Sequence, residues 1–122
     1  WWKEGRAWQQ VADWMDAIVV RREILDERIG ILGHYYAGML DVYTDVTGLA
    51  GVFGSHFDLI EMDVLKQHRD RVSAAQVQAK LEQFEREFKV SPECEKAELI
   101  RAARTSCALD SLTADRNLSA LA

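Results

Sequence analysis

The chain has 122 residues, with 15 Lys+Arg against 20 Asp+Glu for a formal net charge of -5, 48% hydrophobic and 29% charged residues, and one proline. That length holds a single domain, 1–122, with the balance of a folded globular protein rather than a disordered or Pro-rich scaffold. The acidic excess excludes a general nucleic-acid binder, which needs a clustered basic face, and no run of about 18 apolar residues is present to cross a membrane as a helix.

The first residues are Trp1-Trp2, with Lys3 and Arg6 close behind and no initiating methionine. Mixed aromatic and basic residues of this kind resemble the belt at a membrane interface. They point to an exported or membrane-anchored protein whose leading segment lies upstream. The alternative is a cytoplasmic protein in which the tryptophans pack internally.

From there apolar residues recur in alternating steps of three and four: Trp8, Val11, Met15, Ile18, Arg22, Leu25, Ile29, Leu32, Tyr36, Met39, Tyr43 and Val46. This is the a/d pattern of a coiled-coil seam, interrupted only by Arg22. It predicts a helix over about 2–46, roughly 65 Å long at 1.5 Å per residue. Such a helix needs partner helices, because it cannot bury its own stripe. Gly30, Gly33 and Gly38 weaken the prediction, each costing about 1 kcal/mol in a helix interior, unless they let another backbone approach closely. The run from Arg28 to Tyr36 is the one candidate strand.

The stretch 47–55, TGLAGVFGS, reads as a Gly-rich loop, with Gly48 closing the first helix. Its Leu49, Val52 and Phe53 make it apolar as well, so it should pack against something. Ser55 with Asp58 reads as the cap of a second helix over about 56–89. Ser73 to Gln76 resembles a capping box inside that span, so the span is either one helix whose buried face shifts, which is preferred, or two helices that meet. Ser91-Pro92-Glu93 is a helix start for a helix over about 92–109, and Thr113 caps a short one over about 112–121. The expected fold is therefore all-α: a helical bundle in which a long N-terminal helix hairpins with a second long helix, followed by one or two shorter ones.

No pattern for catalysis or cofactor binding appears. Gly48, Gly51 and Gly54 fit neither the dinucleotide fingerprint nor the P-loop. His34, His56 and His68 are scattered, with no Glu-x-x-His, His-Glu-x-x-His or Cys-x-x-Cys spacing, so no metal is expected. Cys94 and Cys107 are 13 positions apart. On one helix they would stand about 20 Å apart, too far for a disulfide, and free thiols are expected.

These features favour a non-enzymatic protein–protein interaction module, a structural or adaptor subunit of a larger assembly, either free or membrane-associated, without cofactor. Its partner-binding candidates are Trp1, Trp2, Trp8 and Trp14, residues of a type enriched at binding hot spots, Arg22 on the seam, and Leu49, Val52 and Phe53. Self-association through helix surfaces is one form this takes. Two alternatives belong to other classes. One is a small-molecule sensor or carrier with a pocket at His34, Tyr35, Tyr36 and Met39. The other is an acidic inhibitor or immunity-type protein that covers a basic partner.

Overall fold

The structure, a computed structural model, describes residues 5–34, 38 and 43–122. Helices take 68% of the described residues and strands 11%, so the chain is mostly helical, as expected, but it also builds a sheet. In chain order the elements are α1 (Gly5–Asp26), β1 (Arg28–Leu32), α2 (Val46–Phe53), β2 (His56–Ile60), α3 (Met62–Arg71), α4 (Ala74–Glu87), α5 (Lys96–Arg116) and β3 (Ala120–Leu121).

The long N-terminal helix is present but ends at Asp26, and the seam expected to run on to residue 46 changes period at Arg28. Residues 28–32, RIGIL, form the central strand of a three-stranded sheet of order β2-β1-β3. Both neighbours are parallel to β1: Arg28 to Leu32 pair with His56 to Ile60, and Ile29 and Gly30 pair with Ala120 and Leu121. The spacing of Leu25, Ile29 and Leu32 is that of a helix, but the β-branched Ile29 and Ile31 favour a strand, and Gly30 between them leaves room that a Cβ would take from Leu118 and Leu121. Central parallel strands read as continuous apolar runs, and a run of this kind also satisfies the heptad spacing that precedes it.

The other expected boundaries move for local reasons. The stretch expected to be a loop, 47–55, is mostly α2: Asp45 caps it by accepting from the Gly48 amide, and Gly54 ends it in the left-handed conformation at φ 79°. Gly48 therefore lies inside a helix rather than closing one. The helix expected over 56–89 is instead a strand followed by two helices. They separate at Val72, and the Ser73–Gln76 capping box opens α4. The last two expected helices are one, α5. Thr113 stays inside it, its hydroxyl bonding back to the Leu109 and Asp110 carbonyls at 3.0 and 2.9 Å. Asn117 ends α5 in the left-handed region, and the chain turns into β3.

Parallel crossovers are right-handed. Those from β1 to β2 and from β2 to β3 run in opposite directions across the sheet. The core lies on the face that Gly30 and Ile60 present to α3 and α5. Ile60, Leu65, Ala108 and Leu112 are buried together, flanked by Leu32, Val64, Val72, Leu109, Leu118 and Leu121. Gly30 faces this core: a Cβ there would lie 2.6 Å from Leu118 Cδ1 and 2.8 Å from Leu121 Cδ1. Side chains alternate across a strand, so Ile29, Ile31, Phe57 and Leu59 line the opposite face. Leu59 there remains 68% exposed.

Candidate functional site

Two regions combine chemistry with exposure. The first is α1. None of its residues is buried. Trp8, Val11, Trp14, Met15, Ile18, Val19 and Val20 are each between 48% and 72% exposed. The expected seam residues Trp8, Val11, Met15, Ile18 and Arg22 share one side of this helix, and Arg22 is exposed. α1 packs against α2 through a different side. Ala17, Val20, Arg21, Ile24 and Leu25 line a groove of about 470 Å³ with Val52 and Phe53. At 100° per residue, this side lies about a third of a turn from the seam. Of the residues expected at a partner surface, the structure thus joins Val52 and Phe53 to the C-terminal half of α1. Leu49, half-buried, lies with Tyr43 and Asp45 in an adjoining hollow. Trp8, Trp14 and Arg22 are on α1 but not in the groove.

The second region is the carboxyl edge of the sheet. His34 follows β1 and Glu61 follows β2. The imidazole Nε2 lies 3.3 Å from Glu61 Oε2, with both side chains exposed. Beneath them is a small cavity of about 210 Å³ lined by Ile31, Gly33, Leu59 and Ile60 as well. The sheet fixes this juxtaposition: the Gly33 amide donates to the Ile60 carbonyl at 2.8 Å, so the residues after each strand leave side by side. Gly33, at φ 84°, makes the turn that carries His34 over β2. A carboxylate beside an imidazole holds one tautomer and gives a ligand both a donor and an acceptor. Open parallel sheets bind ligands outside the carboxyl ends of their strands, where the strand order reverses. Here it reverses between β1 and β3, so the His34–Glu61 pair, over β1 and β2, stands beside that crevice rather than in it.

Trp1, Trp2, Tyr35, Tyr36 and Met39 lie outside the described residues. Glu61 was not singled out from the sequence. It follows an apolar run, and only the parallel register brings it to His34. Among the described residues, no group of three or more His, Cys, Asp or Glu could hold a metal ion, and no helix is long and apolar enough to cross a membrane. Cys94 is exposed and Cys107 half-buried, and both are free thiols.

Two of the helix contacts shift a titration. The Lys80 ammonium, 2.7 Å from Asp110, has its pKa raised, chiefly by that hydrogen bond. Asp70 is held below the usual carboxylate range, chiefly by its hydrogen bond from Lys66. The first pair joins α4 to α5 and the second lies within α3. The sequence matches no known protein family and no curated protein.

Proposed function

We propose that the chain is a non-catalytic interaction module that associates with another polypeptide through α1, as a structural or adaptor part of a larger assembly. The observation that carries this reading is the exposure of the α1 seam. A 22-residue helix presents Val11, Met15 and Ile18 to solvent in heptad spacing while a neighbouring side of it meets α2. An apolar stripe of this length is characteristic of surfaces covered by a partner. A photo-crosslinking residue placed at Ile18 should capture a polypeptide in cells that make the protein, and the same residue at Glu82 on α4 should capture none. The reading fails if Ile18 gives no product.

The carboxyl edge favours a second reading, in which the chain binds a small molecule at His34 and Glu61. It is supported by the 3.3 Å pair above a cavity at the carboxyl ends of β1 and β2. A ligand bound only by the folded state raises the melting temperature. Screening a metabolite library should give such a rise, lost in both His34→Ala and Glu61→Gln. A rise that persists in both variants places the ligand elsewhere.

A further inference from the structure

We infer that the α1 seam is covered by a second copy of this chain, with the two helices antiparallel. This inference rests on the reading of α1 as the association surface and names its occupant. The argument is the distribution of residue types along the helix. Its tryptophans, Trp8 and Trp14, lie in the N-terminal half, and its adjacent arginines, Arg21 and Arg22, lie in the C-terminal half. A two-fold interface must be self-complementary, each patch meeting a different patch of the same surface. An antiparallel pair centred between Asp16 and Ala17 meets that requirement. Met15 lies opposite Ile18 of the second copy, and Val11 lies opposite Arg22.

The flanks then complement one another as well. Trp14 and Arg21 both sit at the border between the seam and the α2 groove, and in this register they come to the same side of the interface. They are offset by about 3 Å along the axis. The Arg21 guanidinium of one copy thus meets the exposed Trp14 ring of the other, a cation–π pair made twice by symmetry. Arg22 lays its aliphatic stem over Val11 and brings its charge towards Trp8. A parallel, in-register pair lacks this complementarity: tryptophan would face tryptophan, and two Arg22 side chains would share the seam. Arg22, the interruption in the stripe, thereby selects the antiparallel orientation, as polar residues in coiled-coil seams do.

Sedimentation of the chain over a range of concentrations should give a species of twice the 13.9 kDa monomer. Ile18→Asp should abolish it without loss of helix content, since Ile18 is exposed. Arg21→Glu and Arg22→Glu should each weaken it about tenfold through the lost cation–π contacts. With Cys94 and Cys107 replaced by serine, oxidation should link a Val11→Cys chain to an Arg22→Cys chain and should not link two Val11→Cys chains. A monomer at every concentration, a dimer indifferent to Ile18→Asp, or a Val11→Cys homodimer overturns the inference. The Ile18 crosslinker separates this failure from that of the broader reading. A product with a different polypeptide overturns self-pairing alone, and no product overturns both.

Discussion

The Ser55 hydroxyl, buried at the start of β2, donates to the Ile24 carbonyl in the last turn of α1 at 2.9 Å. With the His56 amide bonded to the Glu27 carbonyl at 2.8 Å, it fixes the end of an otherwise exposed helix to the sheet. Beside it, a Cβ at Gly54 would overlap the Leu25 side chain, so the chain passes α1 as closely as it can. Ser55→Ala leaves the Ile24 carbonyl without this donor and should cost about 1 kcal/mol. Denaturant midpoints give the cost. Hydrogen exchange should localise the loosening to the C-terminal turns of α1, with α5 unchanged.

Leu112 on α5 is fully buried in the cluster with Ile60, Leu65 and Ala108. Leu112→Ala removes its transfer free energy and leaves a cavity between sheet and helix, which should cost about 3 kcal/mol. In a domain of this size that is a large share of total stability. Equilibrium urea unfolding of the two proteins measures the difference, and an unchanged midpoint would place the core elsewhere.

Gly30→Ala tests the opposite fault. The added methyl would meet Leu118, Leu121 and Ile60 together, the first at 2.6 Å. Each of these atoms ends a flexible side chain, so the core can yield, but all three must move at once. The expected loss is about 1–2 kcal/mol, in the range for overpacking. Gly51, with nothing near its missing Cβ, serves as the control: Gly51→Ala should be neutral or stabilising within α2.

The Lys80–Asp110 bond at 2.7 Å joins α4 to α5. It raises the lysine pKa above the ordinary 10.5. A raised folded pKa contributes stability that is complete below about pH 10.5 and disappears as pH climbs through the folded value. Because Asp110 is exposed, the contribution should be only about 0.5 kcal/mol. Lys80→Met keeps the aliphatic stem and removes the charge. The gap between the wild-type and variant denaturation midpoints should be present at pH 8 and should close above pH 11.

Much of the local structure was legible because it depends on nearest neighbours. The Ser73–Gln76 box and the α1 stripe follow from side-chain chemistry within a turn or two. The sheet was not legible in the same way. β1 is five residues whose apolar spacing continues the helix before it, and the bonds that make it a strand come from residues 56–60 and 119–122. Ser55 shows the same limit: a serine before a new element reads as a helix cap, whereas here it reaches back across the fold to Ile24. The His34 half of the carboxyl-edge pair carries a residue type that draws attention. Its Glu61 half has nothing local to mark it.

The pairing of β3 with β1 sets an order on folding. Arg28 bonds through its amide to the Ser119 hydroxyl, 91 positions away. Helix α5 packs against both α3 and α4, and β2 pairs with β1 across a shorter loop than β3 does, so these contacts can form earlier. The β3 bonds close the longest loop in the chain, and long closures are slow. Until they form, Gly30 lacks Leu118 and Leu121 above it and the sheet is a two-stranded ribbon with a bare edge. Synthesis delivers residues 118–122 after all the other elements, so a nascent chain passes through a state in which the β1 edge is open to whatever strand it meets first.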